Sequence, residues 1–464
     1  MELPEELLHR IFYHLRILRT GKNDRMTRET AWSPLHAQRK LEYDENIRTL
    51  KNISLASRTC NRIVRPILYR TLDLIVHSSS AVQPLLRVLG SAPDTAFSTT
   101  ELRLGAWEVD GVAESALHPD VVDGLTEILD HLPLSVSLRR QLRSGLNEGK
   151  HDAQVAMLVC CCTRIELLEI EMPVSFDGSL TMNAIASLGT GRHAADAQSM
   201  TDTGNSSALD GRRPLARLRE VLASVSYGEW DPDNSTYLNL VGPLLQLPSI
   251  KVIRGEMSIR AGDSEMQSIR SSTATQVYLK MTDFGPINMQ TLLSIYPSLK
   301  LMSLQWGDTG YMTYDHIGVA LRAGGTSLRR LTLDVRMTGS YGSQRSIAPL
   351  GCLRSLTSLK FLCVSLEALM GDQHFTASMA IIPQLPEVLP LSIRALKIPS
   401  CQRIADEVLI ALDEQIEQLV RDPRFTELRT IRINPTEACS PDLDGSTWHD
   451  SESNDFWRVL KRVE

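Results

Sequence analysis

The chain has 464 residues, of which 42% are hydrophobic and 22% are charged, so it can build a large core and lacks the composition of a disordered protein. Its formal net charge of −6 provides no overall positive field for nucleic acid or an anionic membrane, and it disfavours both as partners. No apolar run approaches the roughly 20 residues of a spanning helix, and the charged N-terminus differs from a secretory signal, so we expect a cytoplasmic or nuclear protein.

The first predicted element is an amphipathic helix in LPEELLHRIFYHL, residues 3–15. Pro4 suits the first helical turn, and Glu5 and Glu6 suit the positive end of the helix dipole. Apolar residues recur at helical spacing, namely Leu7, Leu8, Ile11, Phe12 and Leu15. Because so short a helix cannot build a core alone, part of this broad stripe should face a neighbour or a partner.

A second apolar pattern follows a polar stretch and predicts another helix, which Pro66 ends or restarts. Its apolar members are Leu50, Ile53, Leu55, Cys60, Ile63 and Val64. The following residues Thr71-Leu-Asp-Leu-Ile-Val76 are rich in β-branched side chains and predict a strand.

These segments, in this order, resemble the F-box of fungal F-box proteins. The matching residues are Leu3-Pro4-Glu5-Glu6-Leu7-Leu8, Ile11-Phe12, Leu15, Ile53-Ser54-Leu55-Ala56-Ser57-Arg58 and Pro66-Ile67-Leu68-Tyr69-Arg70. The resemblance implies that residues 1–70 bind a Skp-family adaptor and, through it, a cullin and a RING subunit. It implies that the adaptor contacts are Leu3, Pro4, Leu7, Leu8 and Ile11, with Ile53, Leu55 and Ile63 supporting or extending them. The alternative is that these side chains pack only within their own domain.

The chain departs from the family by an insertion between the first two helices, at about residues 16–46. We expect a solvated loop, because the entropy of closing a loop grows only logarithmically with its length. The basic residues early in the insertion also allow a localisation signal.

From residue 71 to residue 435 we predict a leucine-rich-repeat solenoid. A short motif, apolar-x-x-apolar-x-apolar, recurs at intervals of 24 to 35 residues. Its clearest successive starts are Ile250, Ala274, Leu299, Leu328, Leu359, Ile393 and Leu428. Helix-like stretches lie between these starts, and one strand with one helix per repeat is typical of leucine-rich repeats. The unit at 396–409, with Cys401, is similar to the cysteine-containing repeats that are common in F-box proteins.

Two segments lack the repeat pattern. Residues 189–214 are rich in Gly, Ser, Asp and Ala, and we interpret them as a disordered loop. Residues 436–464 read as an acidic linker followed by a short amphipathic C-terminal helix that caps the last repeat or binds a partner.

Strand alternation predicts which repeat residues face a substrate, because successive side chains point to opposite faces of a sheet. The residues between the inward positions form one row, namely Arg254, Tyr278, Ser303, Thr332, Cys363, Lys397 and Arg432. We expect substrate contacts from Arg254, Tyr278, Trp306, Lys397 and Arg432. The Arg, Lys and Tyr side chains suit an acidic or phosphorylated segment, although Glu256 and Asp334 beside them offset the positive charge. For Trp306 the alternative is a position in the buried core.

The sequence contains no P-loop, dinucleotide fingerprint, GxSxG elbow or HExxH motif, and we expect no enzyme, cofactor or metal site. Cys160, Cys161 and Cys162 follow a helix-like apolar run and are interpreted as buried small hydrophobes. An unrecognised hydrolase built on Cys and His residues would instead predict a thiol that reacts rapidly with alkylating reagents.

The expected fold is therefore α/β, with a three-helix F-box followed by an irregular solenoid whose parallel strands line the concave face and whose helices lie outside. The expected function, which rests on the resemblance, is that of a substrate-recognition subunit of a cullin-RING ubiquitin ligase of the SCF type. The alternative is a leucine-rich-repeat scaffold or interaction protein with no link to ubiquitin.

Overall fold

The computed structural model is a mixed α/β structure with a mostly parallel sheet. It describes residues 4–14, 34–74, 78–91, 98–105, 107, 109, 111–112, 117–172, 179–190, 214–225, 247–257, 271–281, 286–306, 314–335, 348–370, 384–399, 406–433, 448–450 and 458–462. The chain divides into two compact units, Met1–Thr236 with Leu240–Gly255 and Tyr237–Asn239 with Glu256–Glu464. This division falls within the predicted repeat region.

The described residues at the start of the first unit form three helices, α1 Glu5–His14, α2 Pro34–Ala56 and α3 Arg58–Leu68. The insertion is therefore not a loop throughout, because residues 34–46 are helical. The single helix predicted around residues 50–64 is also wrong, since the chain breaks at Ser57. The hydroxyl of Ser57 accepts a 3.0 Å hydrogen bond from the Cys60 amide and caps α3, and this stabilises the new start. Pro66 does not end α3, which continues to Leu68.

In the remainder of the first unit, the described residues form five helices and a parallel sheet. The helices are α4 Ser78–Ser91, α5 Pro119–Asp130, α6 Val136–Asn147, α7 His151–Cys161 and α8 Leu180–Thr190. The strands are β1 Thr71–Leu74, β2 Glu101–Leu104, β3 Leu167–Met172, β4 Glu220–Val225 and β5 Val252–Met257, whose residues up to Gly255 belong to this unit. Consecutive strands pair in parallel and in chain order. Nearly all of the predicted loop at 189–214 lies outside the described residues.

The second unit repeats the alternation of strands and helices. Its strands are β6 Gln276–Met281, β7 Leu301–Trp306, β8 Arg330–Val335, β9 Phe361–Val364, β10 Ala395–Ile398, β11 Thr430–Ile433, β12 Trp448–Asp450 and β13 Arg458–Arg462. Its helices are α9 Pro286–Ile295, α10 Tyr314–Gly324, α11 Leu366–Met370, α12 Leu385–Val388 and α13 Asp406–Arg421. Strands β6 to β11 pair in parallel and in chain order.

The recurring apolar motif builds the core of each strand. In β7, Met302 and Leu304 are fully buried, and Leu331 and Leu333 are their register partners in β8. Leu299 is also buried, three residues before Met302, as the apolar-x-x-apolar spacing predicts. The motif therefore marks the inward positions of a parallel strand.

The predicted C-terminal amphipathic helix is wrong, because residues 458–462 form strand β13. This strand pairs antiparallel with β11, and β12 pairs antiparallel with β13. Val459 and Leu460 are both buried opposite Arg432 and Ile431. The edge of β11 would otherwise expose unpaired backbone groups, and pairing satisfies them where an isolated short helix would not.

Candidate functional site

The three N-terminal helices share a small apolar core. Phe12 of α1 packs with Leu50 of α2 and with Ile63, Val64 and Ile67 of α3, and all five are buried. The partly buried residues at its margin are Leu8, Ile53, Cys60 and Leu68. Because these residues come from all three helices, the core fixes the helices relative to one another.

Another stripe of α1 faces away from this core. Leu7 and Ile11 are 45% and 49% exposed, and as residues i and i+4 they lie on one side of the helix. Pro4 at the start of the helix is also exposed, and Leu55 near the end of α2 is 82% exposed. The broad stripe predicted for α1 is therefore divided into a covered half and an uncovered half.

The predicted adaptor contacts are distributed over both halves. Leu3 lies outside the described residues. Leu8 and Ile53 are partly buried, and they border the uncovered half from the core side. Ile63 is only 5% exposed, so its side chain is not part of the uncovered surface. The reason is its place in the apolar core that α3 shares with Phe12 of α1 and Leu50 of α2.

An open cleft of about 630 Å³ lies along α3 beside the exposed Leu55. Its basic residues are Arg58, Arg62 and Arg65. The guanidinium group of Arg62 donates a 2.7 Å hydrogen bond to Glu5 at the start of α1, which joins the two helices at the surface. The apolar stripe and the basic cleft belong to the same helical cluster and suit a partner surface of mixed character.

In the second unit, the predicted row from Tyr278 to Arg432 is confirmed as a row of register neighbours. Direct register pairs join Tyr278 to Ser303, Ser303 to Thr332, Thr332 to Cys363, Cys363 to Lys397 and Lys397 to Arg432. Tyr278 and Lys397 are half-buried and Arg432 is exposed. Trp306 ends β7, and its side chain lies outside the described residues.

Arg254, in the first unit, does not match its predicted role of gripping an acidic partner. Its side chain is only 7% exposed, and its Nε donates a 2.8 Å hydrogen bond to Glu220 on the neighbouring strand. Arg103 is neutralised in a similar way, with Glu169 at 3.4 Å and Asp73 at 3.7 Å. On this part of the sheet, carboxylates of the chain itself therefore compensate the arginines.

The sequence analysis did not identify one set of aligned basic residues in the second unit. Each of five successive strands, β7 to β11, is preceded immediately by a lysine or an arginine, namely Lys300, Arg329, Lys360, Arg394 and Arg429. The missed signal is a tripeptide, Ser-Leu-Lys or a close variant, that recurs before most of these strands. We call these five residues the basic row.

The three adjacent cysteines of the sequence lie among buried residues. Cys160, Cys161 and Cys162 are buried at the end of α7, which confirms their interpretation as small hydrophobes. Burial raises the pKa of Cys160 and of Cys162 to about 12, so both stay protonated at neutral pH. Among the described residues, no group of three or more His, Cys, Asp or Glu side chains could hold a metal ion. No helix in the described ranges is both long and apolar enough for a membrane span.

Comparison with known proteins adds no assignment, because no protein-family model and no curated protein matches the chain.

Proposed function

We propose that the chain is a substrate-recognition subunit of a cullin-RING ubiquitin ligase of the SCF type. Helices α1 to α3 bind a Skp-family adaptor, and the repeats that follow bind a target protein. The subunit forms no bond itself, and it promotes ubiquitin transfer by raising the local concentration of target lysines near the charged enzyme.

The exposed pair Leu7 and Ile11 carries this proposal. Burial of these two large aliphatic side chains against a partner would contribute favourable free energy, at about 25 cal/mol per Å² of apolar surface. Leu8 and Phe12 of the same helix already secure α1 to its own core, so folding does not require the exposed pair. The exposed pair therefore suits a partner, and its position in the F-box-like segment names the adaptor as that partner.

The parallel strands in chain order support the second half of the proposal. The row from Tyr278 to Arg432 offers aromatic, hydroxyl and basic side chains at the spacing of adjacent strands, and its thiol, Cys363, is buried. Such a row is typical of the binding surfaces of leucine-rich-repeat proteins, in which each strand contributes a few contacts.

Co-purification with the adaptor tests the proposal. The wild-type chain should capture a Skp-family adaptor, and the double variant Leu7→Asp with Ile11→Asp should lose most of this capture. Val136→Asp is the matched control, because Val136 is 66% exposed at the start of α6, in the same unit. Circular dichroism must show that the double variant remains folded.

The outcomes separate the proposal from its alternative. A wild-type chain that captures no adaptor would support a leucine-rich-repeat scaffold with no link to ubiquitin. Capture that survives in the double variant would show that α1 does not bind the adaptor through this pair.

A further inference from the structure

The basic row runs along the N-terminal ends of five adjacent parallel strands. Backbone hydrogen bonds link its members directly: the Arg329 amide donates to Lys300 (2.7 Å), Lys360 to Arg329 (2.8 Å), Arg394 to Lys360 (2.8 Å) and Arg429 to Arg394 (2.9 Å). Neighbouring strands lie about 4.8 Å apart, so the row extends over roughly 19 Å. Four of the five side chains are exposed, and Lys360 is half-buried.

A row of like charges at this spacing is unfavourable in itself. Like charges directly opposite each other on adjacent strands are destabilising. Solubility does not require such a row, because a surface of mixed positive and negative charges is sufficient for it. The chain as a whole carries a net charge of −6, so the run of five basic residues contrasts with its composition. An anionic ligand would relieve this repulsion.

The chain itself shows how a carboxylate fits the row. Glu427 Oε2 accepts a 2.9 Å hydrogen bond from Lys360 Nζ and another of 2.9 Å from Arg394 Nε. One carboxylate thus bridges two consecutive members of the row. The same two hydrogen bonds lower the pKa of Glu427, with that from Lys360 the larger cause.

Glu427 is an exception among the repeats. The residue two positions before each member of the row is otherwise a serine, namely Ser298, Ser327, Ser358 and Ser392. The hydroxyls of Ser327 and Ser392 each donate a 2.8 Å hydrogen bond to a backbone carbonyl of the preceding repeat. Serine therefore serves the structural role at this position, and Glu427 adds a charge that this role does not require.

We propose that the basic row binds an acidic, carboxylate-rich segment of a target protein, and that Glu427 occupies part of the row when no target is bound. This deepens the proposed function by naming the class of substrate, and its biological meaning rests on that function. A segment of about six extended residues matches the length of the row, at roughly 3.3 Å per residue.

A peptide suits the row better than nucleic acid. Single-stranded nucleic acid is bound through aromatic rings on which its bases stack. The ring of Phe361, which begins the central strand β9, is already covered by the Arg330 guanidinium at 4.1 Å from its centroid.

Fluorescence anisotropy on the full chain tests the proposal. The probe is a labelled peptide of alternating Glu and Ser, the control probe is its Gln-Ser counterpart, and oligothymidylate of equal charge is the competing ligand. The wild type should bind the Glu-Ser peptide and not the Gln-Ser peptide, with an affinity that falls as salt rises. Lys300→Glu with Arg329→Glu should weaken binding by about tenfold or more, since each 1.4 kcal/mol corresponds to a factor of ten.

Two further variants sharpen the test. Glu427→Ser installs the residue found in the other repeats and should tighten peptide binding several-fold, a gain that a purely structural role does not produce. Arg421→Glu reverses an exposed arginine that is not a member of the row, at the end of α13, and should change binding less than twofold.

Three results would overturn the proposal: no binding of the Glu-Ser peptide by wild type, equal effects of the row and Arg421 variants, or tighter binding of oligothymidylate than of peptide. Adaptor capture by the same preparations separates this failure from that of the proposed function. Intact capture without peptide binding refutes only the substrate class, and peptide binding without capture refutes only the ligase role.

Discussion

Lys360 Nζ lies 2.9 Å from Glu427 Oε2, although 67 positions separate the two residues in the chain. The contact spans two repeats, because Lys360 precedes β9 and Glu427 lies three residues before β11. Arg394, which precedes the intervening strand, donates to the same oxygen. The carboxylate therefore links side chains at the N-terminal ends of three successive strands.

This contact should make stability depend on pH at the acidic end. The pKa of Glu427 is lowered in the folded state, so its contribution is complete above the ordinary glutamate pKa of about 4.3 and is lost as pH falls through the folded pKa. We expect the difference in unfolding free energy between wild type and Glu427→Gln to be constant above about pH 5.5 and to shrink below about pH 4. Urea unfolding over a pH series measures it. A difference that stays constant down to pH 3 would contradict the prediction.

Asp152 should be essential for the stability of the first unit. It is 1% exposed, and its Oδ1 accepts hydrogen bonds from Trp107 Nε1 at 2.8 Å and Thr181 Oγ1 at 2.7 Å. Ser179 Oγ and the Leu180 amide also donate to this carboxylate at the start of α8. Asp152→Ala would leave several buried donors without an acceptor.

We expect Asp152→Ala to lower the free energy of unfolding by about 3 kcal/mol or more. The midpoint of urea unfolding gives the measurement. Asp123→Ala is the control, because Asp123 is exposed on α5 and should change stability by less than about 0.5 kcal/mol. Equal midpoints for the two variants would show that the buried network contributes little.

The buried cysteines should resist alkylation in the native protein. Cys160 and Cys162 combine full burial with a pKa raised to about 12, whereas Cys352 is exposed. Iodoacetamide at pH 8 should therefore modify Cys352 and spare the cluster at 160–162 until denaturant is added. Mass spectrometry of the digested protein identifies the modified sites. Rapid modification of these cysteines in the native protein would instead support a hydrolase built on Cys and His residues.

Two helical glycines should respond to alanine with opposite signs. A Cβ atom at Gly318 of α10 would overlap the carbonyl oxygen of Leu350, which already accepts a 2.8 Å hydrogen bond from Arg322. We expect Gly318→Ala to destabilise by about 3 kcal/mol. A Cβ atom at Gly90 of α4 would find ordinary contacts at 3.5 Å or more, so Gly90→Ala should stabilise by about 0.5 to 1 kcal/mol. Thermal unfolding of both variants checks the signs.

Much of the repeat architecture could be predicted from local pattern. The apolar position that begins each repeat became a buried residue two positions before a strand, and Tyr278, Ser303 and Thr332 became direct neighbours in the sheet as their spacing required. The prediction worked because side chains alternate between the two faces of a strand, so the register of one repeat fixes which residues share a face.

Local pattern failed where a distant partner decided the outcome. The segment at 458–462 was expected to be helical, yet it forms a strand because its backbone pairs with the open edge of β11. Arg254 has the position and charge that a substrate contact requires, but its charge is compensated by Glu220, which lies 34 positions earlier in the chain. Ile63 and Leu7 looked equivalent as apolar helix positions, and only the packing of three helices buried one and exposed the other.

The sequence by itself determined the order of the parallel strands in the repeats and the set of side chains on each strand face, because both follow from periodicity within a few residues. The tertiary structure alone decided which charges are compensated, which apolar residues remain uncovered, and that five separate basic residues form one continuous row. These properties depend on contacts between residues far apart in the chain, and a local pattern carries no information about such contacts.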